Sequence, residues 1–126
     1  KIEYQLFPAI KEDQEKIIDR LAHAEEHGAI AVGVDTDFVL GGKRADKTFR
    51  REGMSIKSFR ELEDLASTVE VPFLVKGVLS VEDARKAIDL GADSIVVSNH
   101  GGVVLDFSAH PLQGLPERSK EVGEDA

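Results

Sequence analysis

The chain has 126 residues, 41% of them hydrophobic, with a formal net charge of −8 and no cysteine, enough for one modest core and too little for two ordinary domains. The acidic balance excludes an extended basic footprint for nucleic acid, and the lack of cysteine excludes disulfides, thiolate metal sites and thiol nucleophiles. The longest near-apolar run, residues 29–34, falls far short of the roughly 20 residues of a membrane span. With no basic-then-apolar N-terminal signal, a cytoplasmic protein with neither nucleic acid nor membrane as partner is the expectation.

Residues 3–7 mix aromatic and apolar side chains and stop at Pro8, which predicts a short strand. Residues 11–27 carry Ile17, Ile18, Leu21, Ala22 and Ala24 as a helical stripe, with Gly28 at the C′ position. Residues 29–35 are apolar on both faces up to Asp35, the pattern of a fully buried strand. Residues 36–54 break the rhythm with glycines and the basic cluster Lys43, Arg44, Lys47, Arg50 and Arg51, which predicts a long loop over one end of a sheet.

Ser58 and Glu61 form a capping box for a helix carrying Leu62, Leu65, Ala66 and Val69. Residues 72–76 make a third strand. Ser80 and Asp83 open a helix over residues 81–90, Gly91 caps it, and residues 94–98 make a fourth strand. Residues 117–126 begin one more helix. Strands alternating with helices imply a parallel α/β sheet with right-handed crossovers. About four βα units are half of a TIM (β/α)8 barrel, which typically needs about 250 residues. The single domain, residues 1–126, is therefore expected to be part of a barrel, completed by the remainder of a longer chain or by a homo-oligomer.

In such a sheet the C-terminal strand ends share one rim, where these folds keep their chemistry. Gln5 lies in the first strand, Asp35 ends the second, Lys76 the third and Ser98 the fourth, and His100 follows. Any one of them reads as the start of a solvated loop; their convergence from distant positions reads as a site. His100 suits a general base because its ordinary pKa of about 6.5 lies near neutrality. A carboxylate such as Asp35 would fix its tautomer, and Lys76 offers a fixed cation for a developing anion. Gly101 and Gly102 allow close backbone approach or simply a turn.

Other signals are weaker. His23 and His27 lie four apart on one helix, but the residues between them do not match the zincin order, and two histidines near a helix C-terminus also suit its dipole. No metal is expected. Gly41-Gly42-Lys43-Arg44 lacks the spacing of a phosphate loop, and His110 before Pro111 carries no clear signal.

Two blocks carry a family resemblance. One is Pro72-Phe73-Leu74-Val75-Lys76-Gly77-Val78-Leu79-Ser80 with Val81-Glu82-Asp83-Ala84, and the other is Gly91-Ala92-Asp93-Ser94-Ile95-Val96-Val97-Ser98-Asn99-His100-Gly101-Gly102. Together they resemble the FMN-dependent α-hydroxy acid dehydrogenases and oxidases, the group of glycolate oxidase and lactate oxidase. Tyr4-Gln5-Leu6-Phe7 is similar to that family's Gln-Leu-Tyr strand, and Val34-Asp35-Thr36 to its Val-Asp-Thr strand end. The likeness runs from about residue 3 to residue 117.

The resemblance implies an FMN-dependent oxidoreductase acting on a 2-hydroxy acid or related small molecule. Gln5 would bond the flavin pyrimidine edge, Lys76 would stabilise the anionic reduced ring, and Ser98 would hydrogen-bond the flavin. His100 would take the substrate proton, oriented by Asp35. The chain departs from the family where an arginine clamps the substrate carboxylate, here Val103, and where a substrate-side tyrosine is Phe7. A flavin-contacting threonine is Gly33, and a loop arginine corresponds to Lys43 or Arg44. A valine cannot replace a bidentate guanidinium, so Lys43, Arg44 and His100 are the expected substrate contacts. A flavin- or phosphate-binding module without turnover, or a non-autonomous structural fragment, are the alternatives.

Overall fold

Buried β-branched runs and capped amphipathic helices dictate the layout that the computed structural model describes for residues 5–8, 13–37, 56–102 and 107–123. The order is β1 Gln5–Pro8, α1 Gln14–Glu26, β2 Val32–Asp35, α2 Phe59–Ala66, β3 Phe73–Val78, α3 Val81–Asp89, β4 Ser94–Val97 and α4 Leu115–Val122. The four strands form one parallel sheet in the order β1-β2-β3-β4, as the strand–helix alternation predicts.

The helix ends follow their sequence signals. Ser58 and Glu61 make the reciprocal capping box of α2. Ser80 accepts from the Asp83 amide at 3.0 Å and opens α3. Gly28 follows α1 with φ +84°, a left-handed conformation that favours glycine. β2 is shorter than the apolar run, starting at Val32 instead of residue 29, because residues 29–31 carry the chain from the helix cap to the sheet. β3 runs two residues beyond Lys76 to Val78, with a register irregularity between Lys76 and Val78. α4 starts at Leu115, earlier than the polar stretch suggests, with Pro116 in its first turn, where a missing N–H is harmless.

Alternation along the strands separates two faces. Val32, Val34, Phe73 and Val75 are buried and join Ile17, Leu21, Leu65, Ala84 and Ala87 from the helices in one core. On the other parity, Leu74, Lys76, Asp35 and Val96 are half-buried. Arg118 on α4 is buried and donates to the carbonyls of Leu79 and Pro111, tying α4 to the β3–α3 junction. Among the described residues, no helix is long and apolar enough to cross a membrane.

At Gly33 the sheet leaves no room for a side chain: an added Cβ would lie 2.0 Å from the Leu74 carbonyl oxygen. At Gly28 the same atom would meet open space. Gly33→Ala is therefore expected to lower unfolding free energy by about 3 kcal/mol, against about 1 kcal/mol for Gly28→Ala. Urea titration of both variants checks the ranking; equal losses would mean that backbone conformation, not the β2–β3 contact, sets the cost.

Candidate active site

Parallel pairing sets Asp35 of β2 directly beside Lys76 of β3. Side chains at paired positions share a face, and adjacent strands lie about 4.8 Å apart, so a long cation and a short carboxylate meet readily. The Lys76 Nζ donates to Asp35 Oδ2 at 2.7 Å and to Asp37 Oδ1 and Oδ2 at 3.0 and 3.2 Å. The same Nζ lies 3.2 Å from His100 Nδ1. His100 Nδ1 in turn lies 2.6 Å from Asp37 Oδ1 and 3.5 Å from Asp35 Oδ2.

The cluster is sheltered: side-chain exposure is 6% for Asp37, 14% for Asp35, 19% for Lys76 and 29% for His100. Burial, then the hydrogen bond with Asp37, push the Asp35 carboxyl above its ordinary range against the pull of Lys76. Burial acts the same way on Asp37, but hydrogen bonds with Asp35, His100, Ser98 and Lys76 outweigh it and hold that carboxyl well below the usual range. Burial also opposes the charge of Lys76, and its bonds to Asp35 and Asp37 overcome it, raising the ammonium above ordinary lysine. The geometry thus separates the two carboxyls, Asp37 being the firmer anion.

His100 occupies a strained position. It opens a short 3-10 turn over His100–Gly102 with φ +54°, followed by Gly101 and Gly102 at +68° and +75°. A non-glycine residue is uncommon there. The turn is held by the His100 amide donating to Ser98 Oγ at 3.0 Å and by the Gly102 amide donating to the Asn99 carbonyl at 2.9 Å and its Oδ1 at 3.1 Å. Strain held by surrounding bonds clusters at functional sites.

The structure brings Asp35, Lys76, Ser98 and His100 to one strand-end rim. Gln5 sits in β1 at the register position paired with Val32. Lys43, Arg44 and Val103 lie outside the described residues. Sequence reasoning missed Asp37, the carboxylate nearest His100. The available signal was an Asp-Thr-Asp triplet at a strand end, which repeats a carboxylate two residues on. His110 is exposed, and its Nδ1 accepts from the Leu112 amide at 3.2 Å.

Asp35, Asp37 and His100 have ligand atoms close enough for a metal ion, but the Lys76 ammonium lies within 3.2 Å of all three and fills that position. His23, Glu26 and His27 are similarly close and all exposed. His27 Nδ1 lies 2.8 Å from the His23 carbonyl oxygen, the expected bond of a histidine at a helix C-terminus. A cleft of about 380 Å3 between α2 and α3, lined by Phe59, Leu62, Val75 and Leu90, includes neither Lys76 nor His100.

The family model described as FMN-dependent dehydrogenase matches residues 45–126. A peroxisomal (S)-2-hydroxyacid oxidase of Arabidopsis thaliana is 50% identical over 60 residues, 48% of this chain and 16% of its own. An L-lactate dehydrogenase of Actinobacillus pleuropneumoniae is 34% identical over 105 residues, 83% of this chain and 26% of its own. Among solved structures, a point mutant of mandelate oxidase with the monooxide FMN adduct aligns with a TM-score of 0.80 at 32% identity, over 98% of this chain and 38% of that one. Mandelate oxidase with benzoyl-formic acid gives 0.80 at 29% identity, over 97% and 39%. The chain spans well under half the length of these relatives, and its fold matches part of their TIM barrel.

Removing the cation at the centre of the cluster leaves two adjacent carboxylates without compensation. Lys76→Met is expected to lose about 3 kcal/mol of stability at pH 7. In the intact site the lowered Asp37 adds stability above the ordinary carboxylate range, lost as pH falls through its folded range, whereas the raised Asp35 subtracts stability as it ionises. Without Lys76 both carboxyls take up protons more readily, so the deficit should shrink by more than half on acidification to about pH 4. Urea unfolding across that range reads it; a pH-independent deficit would assign the loss to packing of the lysine stem.

Proposed function

Because the chain belongs to the family of FMN-dependent dehydrogenases, we propose that it is the central part of a (β/α)8 barrel that oxidises a 2-hydroxy acid, with His100 as the base. The strands that close the barrel come from the remainder of a longer chain. The observation that carries the reading is the imidazole held against a carboxylate and beside a half-buried ammonium at the C-terminal strand rim.

The donor set suits FMN. Lys76 supplies a fixed cation for the electron-rich pyrimidine edge, and Ser98 supplies a neutral polar group on the same rim, whereas Gln5 is paired with Val32 at the start of β2, three positions before the rim residue Asp35. When bound, FMN supplies the acceptor of hydride equivalents that side chains lack. The work of the chain is then positional: His100 takes the substrate hydroxyl proton, and the carboxylates beside it stabilise the resulting imidazolium. Asp35 and Asp37 hold the Lys76 ammonium in place. With Val103 at the position of the family's arginine, the substrate carboxylate falls to Lys43 or Arg44.

A second reading, a flavin-binding module without hydroxy acid turnover, is favoured by Val103 and Phe7. Reduction of bound flavin by any simple 2-hydroxy acid would exclude it.

In the complete FMN-loaded protein, His100→Ala is expected to lower kcat at least about 10^3-fold while flavin stays bound. Steady-state turnover together with the flavin absorbance of the purified variant checks both halves. Undiminished turnover would overturn the assignment of His100 as base.

A further inference from the structure

We propose that Asp37 is the positioning residue of His100, accepting the Nδ1 proton so that Nε2 is the basic nitrogen, and that the absence of a side chain at Gly77 holds Asp37 in place. The inference deepens the reading of His100 as the base and rests on it.

Geometry separates the two carboxylates. Asp37 Oδ1 is 2.6 Å from His100 Nδ1, while Asp35 Oδ2 is 3.5 Å away and only 2.7 Å from Lys76. The direction of the short bond follows from what each atom can do. An ionised carboxylate only accepts, and Asp37 is the firmer anion of the pair. An unprotonated Nδ1 would face that oxygen lone pair to lone pair at 2.6 Å. The Lys76 Nζ also lies 3.2 Å from Nδ1, and it has Asp35 Oδ2 and both Asp37 oxygens to donate to. Nδ1 therefore carries the proton, and the neutral ring is basic at Nε2.

Three contacts place Asp37. Its amide donates to Asp35 Oδ1 at 3.2 Å. The preceding Thr36 donates from both its amide, at 2.9 Å, and its Oγ1, at 2.7 Å, to the Lys76 carbonyl. The third contact is with Gly77, at φ +105°, where an added Cβ would lie 2.5 Å from Asp37 Cβ and 2.6 Å from its amide nitrogen. The chain leaving β2 lies directly on the backbone of β3, and any side chain at residue 77 would push the carboxylate off the imidazole.

The test reads the tautomer, which a merely structural role would not move. Ring 15N chemical shifts of His100 in the flavin-free protein, at a pH where the ring is neutral, should report the Nδ1–H form. Asp37→Ala should abolish that preference, Asp35→Ala should keep it, and Gly77→Ala should abolish it although Asp37 is still present. Asp37→Asn, which keeps an acceptor oxygen but loses the charge, should retain the tautomer and lower kcat of the FMN-loaded protein roughly 10^2-fold with little change in KM. An Nε2–H ring in the unmodified protein, or loss of the Nδ1–H form in Asp35→Ala and not in Asp37→Ala, would overturn the proposal. Because the spectrum is taken without flavin or substrate, its outcome is independent of whether His100 proves to be the base in turnover.

Discussion

The pairing of Asp35 with Lys76 across β2 and β3 is the constraint on which the candidate site depends. A lysine on a half-buried strand face needs a counter-charge, and the parallel register supplies one at the adjacent position. With the ammonium fixed there, the strand ends become a frame of definite charge. Lys76 contributes one positive charge against the two carboxylates of Asp35 and Asp37, so a proton on His100 brings the group to neutrality. The arrangement accommodates a proton without creating an isolated buried ion, whose desolvation would be prohibitive.

The fold places that frame where it does through a division of labour between the sheet faces. Val32, Val34, Phe73 and Val75 anchor the sheet to the helices, so the opposite parity can carry Asp35 and Lys76 without loss of core. Of the helices, α2 and α3 begin at side-chain caps, Ser58 and Ser80, which fixes where those two helices start. The charged cluster and the apolar core thereby occupy alternate residues of the same strands.

Much of this was legible in the sequence because the signals were local. Ser58 with Glu61, Gly28 after a periodic stripe, and the Ser-Asn-His-Gly-Gly run each prescribe their own backbone. The reach of β3 past Lys76 was not legible, since Gly77 reads as a strand terminator unless a neighbouring chain is known to cross it. Asp37 was overlooked for the same reason: its partner is 63 positions away, and its position resembles the first polar residue of a loop. Arg118 reads as a solvated helix charge, and only the approach of the Leu79 and Pro111 carbonyls explains its burial. Long-range contacts made by short polar residues leave no periodicity to read.

The left-handed backbone at His100 has a consequence for how this segment can change. At φ +54° glycine or asparagine would sit more comfortably than histidine. Selection for thermal tolerance alone would drift residue 100 toward those replacements and raise the melting temperature while erasing the imidazole. Stability and the proposed role of His100 as base pull in opposite directions at this one residue, so a directed-evolution campaign on this scaffold must screen for both at once.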